Sequence, residues 1–308
     1  MRKIIWGALL LFAGYALFSA ALLRLTDGFC ITHIKSDLDY SSHRESSCPN
    51  EKAIQDLLKQ NFYYLGKGSQ CYVFESEDHD VVLKFFRFPR YRLHALAQHI
   101  TAPTFLTDIL KSRLREKQHK LHALFASCRL ANHELAKETQ ILYLHLSKTD
   151  HLKQTVVLYD KLKRPFPISI DAYAFIIQKK GEQIYPYLTR LLQQGKMQEA
   201  QEALARLTAI LTTCLQKGIV DNDAMIHKNL GFRNQKAFFL DIGGFERTLP
   251  ANPNHILWQT TQRLRTWLNT QDPELASHFE QTLRNSATAA SKASHQVCNK
   301  IPFLLKGV

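Results

Sequence analysis

Gly66 and Gly68 stand in LGKGSQCYVFESEDHDVVLKFF, residues 65 to 86, with Val73 close behind and Lys84 further on in an apolar run. Glycine has no Cβ, so it takes backbone angles closed to other residues and lets amide groups approach phosphate oxygens. Val73 could cover the face of an adenine ring. Lys84 is flanked by Val82, Leu83, Phe85 and Phe86. A lysine in such a strand calls for an anionic partner, because burying an unpaired charge is costly. Strand alternation would equally allow it a water-facing edge. A second group lies far downstream. In IVDNDAMIHKNLGF and NQKAFFLDIGGF, Asp223 and Asn229 occupy a polar loop, and Asp241 ends a buried run ahead of Ile242, Gly243 and Gly244. Hard divalent ions such as Mg2+ take oxygen ligands, commonly a carboxylate or two plus phosphate. Asp241 and Asn229 could supply two of them. Singly, each of these residues also suits a turn cap.

These residues need elements to position them. EKAIQDLLKQ reads as a short helix. NFYYLGKGSQCYVFESE and HDVVLKFFRF read as two aromatic and β-branched strands meeting at a polar SEDHD turn. Residues 105 to 147 carry two helical patterns. The second, ANHELAKETQILYLHL, sets Ala131, Leu135, Ile141, Leu142 and Leu144 on one apolar side. TVVLYDKL and AYAFIIQKK are strand candidates. Residues 186 to 217 are strongly helical with Gly218 as the stop, AFFLDIGGF is a short buried strand, and residues 255 to 290 are helical. Strands plus helix come first and mostly helix follows, an α+β pattern of two lobes.

A glycine loop, a strand lysine, a helical glutamate, an Asp…Asn loop and an Asp-x-Gly follow one another along residues 58 to 250. That order resembles the protein-kinase-like superfamily, in particular atypical kinase-like proteins of bacterial type with a reduced C-lobe. The resemblance implies a bilobal fold, a small β-rich N-lobe and a mostly helical C-lobe. It implies ATP with Mg2+ or Mn2+ as cofactors and phosphoryl transfer to an unknown hydroxyl acceptor. Matched residue by residue, Gly66 and Gly68 take the first two loop glycines, Val73 the loop valine and Lys84 the lysine of the α- and β-phosphates. Asp223 takes the catalytic aspartate, Asn229 the metal-binding asparagine and Asp241 the metal aspartate of DFG, here DIG. Glu138, four residues after Glu134, is the preferred partner for Lys84. There are departures. Cys71 replaces the third glycine, the catalytic triplet reads Asp221-Asn222-Asp223, and Asn229 lies six residues after Asp223 where the family has five. A loop one residue longer leaves Asp221 open as the residue in the catalytic position. No APE follows, which argues against a conventional protein kinase. A pseudokinase, binding nucleotide or scaffolding with a basic surface, is the alternative reading.

The first residues differ from the rest. Arg2 and Lys3 precede the 20 residues 4 to 23, which carry no charge. As a helix they are about 30 Å long, enough to cross a bilayer, and longer than a signal peptide's apolar core. The expectation is a single-pass membrane anchor; export after cleavage near LFSAA is the alternative. The expected layout is anchor or signal at 1–30, polar linker at 31–50, kinase-like N-lobe at 51–180 and helical C-lobe at 181–308. The net charge of +13 suits phosphates, acidic partners or anionic lipid. No interleaving of aromatic and basic residues points to nucleic acid. None of the six cysteines forms a CxxC pair, so no zinc site is indicated. Cys30 and Cys48 could pair in an oxidising compartment.

Overall fold

The computed structural model describes residues 2–35, 51–92, 104–223, 225–248 and 252–298. It divides into two compact units, Met1–His122 with Ile141–Lys180, and Ala123–Gln140 with Gly181–Val308.

In the first unit α1 (Arg2–Thr26) is followed by a single helical turn, α2 (Ile31–Ile34), and by α3 (Glu51–Leu57). Then come β1 (Phe62–Lys67), β2 (Cys71–Ser76) and β3 (Val81–Phe86). Helix α4 (Thr104–Glu134) follows, and after it β4 (Ile141–His145), β5 (Thr155–Tyr159), β6 (Pro165–Ser169) and β7 (Phe175–Lys179). All seven strands form one sheet in the order β4-β7-β3-β2-β1-β5-β6. Only β1 and β5 are parallel neighbours. Strand alternation divides β3: Val81, Leu83 and Phe85 enter the core with Phe74, Phe175 and Ile177, and Lys84 belongs to the other face. Phe29 and Ile34, from the segment just after α1, are buried in that same core.

The run ILYLH was expected to be helical and is strand β4. Gln140 takes a left-handed φ of 51° that stops the preceding turn. The apolar residues beyond it then pair with β7, Leu144 opposite Ile176. Pairing and burial override a helical periodicity that five residues cannot enforce by themselves. Strand β6 holds Pro165 and Pro167, which a sheet tolerates at its edge, where β6 lies.

Among the described residues no helix is long and apolar enough to cross a membrane. The expected span at 4–23 falls partly outside them, since of its side chains only Trp6 and those from Phe12 onward are described. Trp6, Phe12, Tyr15, Leu17 and Phe18 of α1 are exposed. Cys30 carries a free, exposed thiol; Cys48 lies outside the described residues.

The second unit opens with the end of α4 and the turn α5 (Ala136–Thr139), then β8 (Glu182–Gln183), α6 (Ile184–Gln193) and α7 (Met197–Gln216). Gly195 and Gly218, both at positive φ, end these two helices. Next come β9 (Ile219–Asp221), α8 (Ile226–Asn229), β10 (Leu230–Arg233), β11 (Lys236–Phe239) and β12 (Phe245–Arg247). Helices α9 (Pro253–Thr260), α10 (Gln262–Gln271) and α11 (Pro273–Cys298) close the chain. Two small sheets, β11-β10-β8 and β12-β9, sit among the helices. The protein is thus α+β, a sheet-rich first unit and a mostly helical second.

Candidate functional site

In the first unit the expected residues fall in one line across the sheet. Gly66 lies opposite Val73, Val73 opposite Lys84, and Lys84 opposite Ile176. Directly opposed residues share a face, so β1, β2 and β3 present Gly66, Val73 and Lys84 side by side. A bulge between Tyr64 and Gly66 shifts the register just before this line. Gly68 closes the hairpin, its amide donating to the Cys71 carbonyl at 2.8 Å. Neither glycine has a positive φ. What distinguishes Gly66 is space: a Cβ there would meet nothing within 4 Å. The hairpin is held from outside the turn. Arg87 donates to the Gly68 carbonyl at 2.9 Å and Arg90 to the Ser69 carbonyl. Lys67, between the two glycines, donates to the Asp27 carbonyl at 2.6 Å. The Tyr72 hydroxyl donates to the Gly28 carbonyl at 2.7 Å.

In the second unit Asp221, Asp223, Asn229 and Asp241 come together. Strand β9 brings Asp221 opposite Phe245 of β12. The Asp223 amide donates to Asp221 Oδ1 at 3.0 Å. The Asn229 side chain donates to the Asp223 carbonyl at 3.1 Å. The Asn229 carbonyl accepts the amides of Leu240 at 2.6 Å and Asp241 at 3.2 Å. Asp241 Oδ1 accepts the Gly243 amide at 3.1 Å, which shapes the turn after β11. Ser127, near the end of α4, fastens that turn. Its hydroxyl donates to the Ile242 carbonyl at 2.6 Å and accepts the Phe245 amide at 2.7 Å.

The two loop aspartates differ. Asp223 is exposed. Asp221 is enclosed, and burial pushes its carboxyl up to about 7, with the charges of Asp241 and Asp223 adding to the rise. The Asp223 amide and the Asn229 side chain oppose that shift by stabilising the anion. Gly244 completes the enclosure, since any Cβ on it would overlap Asp221 Oδ1. Among the described residues no three His, Cys, Asp or Glu side chains are grouped to hold a metal ion.

Glu138 does not share a helix with Glu134. Helix α4 ends at Glu134, and Glu138 belongs to the separate turn α5. Its carboxylate pairs with Lys217 at 3.0 Å. Glu134 pairs with Arg247 at 2.8 Å.

Three contributors carried no sequence signal. Ser127 acts on residues more than 100 positions away. Gly244 reads as a turn glycine until Asp221 is seen against it. The third is His227 of α8, which lies between Asp223 and Asn229 in the sequence. Its ring stacks on Tyr185 at 5.0 Å, and Tyr185 stacks on Trp267 at 4.5 Å.

No protein-family model matches the sequence, and no curated protein does. Among solved structures the chain is similar to WbdD in complex with the kinase inhibitor LY294002. The identity is 15%, over 71% of this chain and 44% of that one, with a TM-score of 0.33. It is also similar to a structure of the bifunctional kinase-methyltransferase WbdD, at 14% identity over 73% of this chain and 47% of that one, with a TM-score of 0.31. The chain spans less than half the length of these structures.

Proposed function

We propose that the chain is an ATP-dependent, kinase-like phosphotransferase that passes a phosphoryl group to a hydroxyl acceptor with Mg2+ or Mn2+. The observation that carries this is the double use of Asn229. Its carbonyl holds the Asp241 amide while its side chain holds the Asp223 carbonyl. Phosphoryl transfer needs a metal ligand and a hydroxyl-orienting carboxylate at a fixed separation, and one residue ties the two together.

In this reading Asp241 and Asn229 hold the metal, which supplies neutralisation of phosphate charge. A Mg2+ ion that keeps several waters and phosphate oxygens needs only one or two protein ligands, so the missing third acid is no obstacle. Asp223, exposed, accepts the acceptor's proton. Asp221, enclosed against Gly244, is structural. The open space over Gly66 suits a close-lying phosphate, Lys84 binds it, and Val73 covers the base.

We place residues 4–23 of α1 in a membrane as a single-pass anchor, because Trp6, Phe12, Leu17, Phe18 and Leu23 of that helix are exposed. Carbonate extraction should leave the full-length chain in the pellet. A mature N-terminus near residue 20, read by mass spectrometry, would establish export instead.

The nucleotide reading is tested by thermal unfolding of the full chain in detergent with ATP and Mg2+, beside Lys84→Ala. One site at about 100 times its Kd adds about 2.7 kcal/mol, and Lys84→Ala should lose most of that. No shift at millimolar ATP with either metal overturns it. A second reading, nucleotide binding or scaffolding without transfer, is favoured by the engagement of Glu138 with Lys217. Binding without any transfer would decide for it.

A further inference from the structure

Outside α1, the large apolar side chains exposed among the described residues are Tyr63, Leu65, Ile109, Leu162 and Trp258. An exposed leucine by itself is ordinary, but Leu65 and Leu162 stand where α1 joins the first unit. Leu65 is the residue that the bulge adds to β1. Two positions on, Lys67 donates to the Asp27 carbonyl. Leu162 sits in the β5–β6 turn beside Lys161, which donates to the Arg24 carbonyl at 3.4 Å and pairs with Asp27 at 3.1 Å. Each leucine is thus within two residues of a lysine that holds the end of α1, where Leu22 and Leu25 are exposed too. The turn is firm. Asp160 Oδ1 accepts the amides of Leu162 at 2.9 Å and Arg164 at 2.8 Å, and its other oxygen accepts from the Arg164 guanidinium at 2.7 Å. The exposure of Leu162 is therefore built into the hairpin.

Charge divides the same sheet from end to end. At the α1 end Lys67, Arg87 and Arg90 donate to the carbonyls of Asp27, Gly68 and Ser69, and a carbonyl leaves a cation's charge in place. Lys161 and Arg164 are met by Asp27 and Asp160. The other end is the β2–β3 turn, where the Glu77 amide donates to the Asn61 carbonyl just ahead of β1. The six residues of β1, about 20 Å of strand, separate the two ends. At this far end Glu77 and Asp78 accept from the neutral carboxamides of Asn61 and Gln60, while Asp80 and Glu75 pair with Lys179 and Lys180. Among the described residues, one end keeps positive charge and the other negative.

We propose that the α1 end of the first unit docks on an anionic lipid surface, with Leu65 and Leu162 among the acyl chains beside α1 and Lys67, Arg87 and Arg90 facing lipid phosphates. Three features at one place identify the partner. The leucines continue the exposed apolar surface of α1, the cations around them are bonded to carbonyls and not to acids, and Glu77 and Asp78 lie at the far end. An anionic leaflet attracts basic groups and repels acidic ones, so its field orients the unit with the leucines toward lipid. This docking rests on the anchor reading of α1 and adds a second contact to it.

The test is photocrosslinking of the full chain in nanodiscs of mixed phosphatidylglycerol and phosphatidylcholine. A benzoylphenylalanine in place of Leu17, Leu65, Leu162 or Glu77, one at a time, reports contact with acyl chains as a lipid adduct. Adducts are expected at Leu17, Leu65 and Leu162 and not at Glu77, whose probe is equally apolar. With the probe at Leu65, Leu162→Asp should lower the adduct about tenfold, the scale of one apolar side chain withdrawn from lipid. The adduct at Leu162 should also fall in nanodiscs of phosphatidylcholine alone. An adduct at Leu17 with none at Leu65 and Leu162 overturns the docking and leaves the anchor standing. No adduct at Leu17 removes the anchor and the docking with it. Equal yields at Leu162 and Glu77 overturn the docking, and a yield at Leu162 indifferent to phosphatidylglycerol overturns its assignment to an anionic surface.

Discussion

Gly244 leaves no room for a side chain against Asp221: a Cβ there would overlap the carboxylate oxygen that accepts the Asp223 amide. Gly244→Ala must therefore push β12 away from β9 or dislodge Asp221. Overpacking of this kind costs about 1–3 kcal/mol. Urea unfolding of wild type and Gly244→Ala measures it, and equal midpoints would mean that the contact yields without cost.

Asp221 makes stability depend on pH in an unusual direction for an acid. Its folded value is about 7 against an ordinary 3.8. Between those values the folded chain keeps a proton that the unfolded chain has released. Stability then falls as pH rises through that window and levels off above it. Asp221→Asn should flatten this fall. Urea midpoints at several pH values across the window, for wild type and variant, check the difference in slope.

Ser127 links α4 to the turn after Asp241 through two hydrogen bonds, one given and one received. Ser127→Ala leaves the Phe245 amide and the Ile242 carbonyl without that partner, at a cost of about 1–3 kcal/mol. Ser127→Thr keeps the hydroxyl and should recover part of it. Chemical denaturation of the two variants provides the comparison.

The proposed roles of Asp223 and Asp241 predict different failures. Asp223→Asn should keep nucleotide binding and lose transfer by about 10²-fold or more, the scale of a missing proton acceptor. Asp241→Asn should weaken Mg2+-dependent nucleotide binding as well, because a charged oxygen ligand is gone. Asp221→Asn should retain transfer. Binding and phosphate-transfer assays on the three variants separate these roles, and loss of transfer in Asp221→Asn alone would exchange the two loop aspartates.

Phe29 packs edge-on against Tyr72 at 5.2 Å and Phe74 at 5.1 Å. Phe29→Ala should cost about 3–5 kcal/mol. A fragment beginning near residue 50 lacks both Phe29 and Ile34 and should fail to fold, whereas one beginning at Asp27 should fold. Circular dichroism melts of the two fragments give the answer, and equal melting would remove this segment from the core.

Strands β1 to β3 were legible because aromatic and β-branched residues alternate around a polar turn, a local signal. Strand β4 was not, because Ile141 to His145 continues an apolar pattern and only its partner β7 makes it a strand. Strand β6 was hidden by its prolines. Order along the chain singled out Asp223, Asn229 and Asp241, and the structure brings these three together. Asp221 was weighed only as an alternative to Asp223, and its enclosure was not legible, since it arises from the pairing of β9 with β12 and from Gly244, both set by the fold. Glu138 was sought on a helix that in fact breaks at Glu134. The glycines were noted for conformational freedom and for admitting close approach; neither takes a positive φ, and a Cβ on Gly66 would meet nothing within 4 Å.

Only Asp27 and Gly28 separate the last residue of α1 from Phe29 in the core. Two residues reach at most about 7 Å. Lys161 further straps Asp27 to the unit at 3.1 Å. With α1 in a bilayer, the first unit therefore has no tether on which to swing. Under the proposed anchor its working radius would be the layer of headgroups, and the proposed acceptor would have to reach that plane, carried by a lipid or by a neighbour anchored alongside.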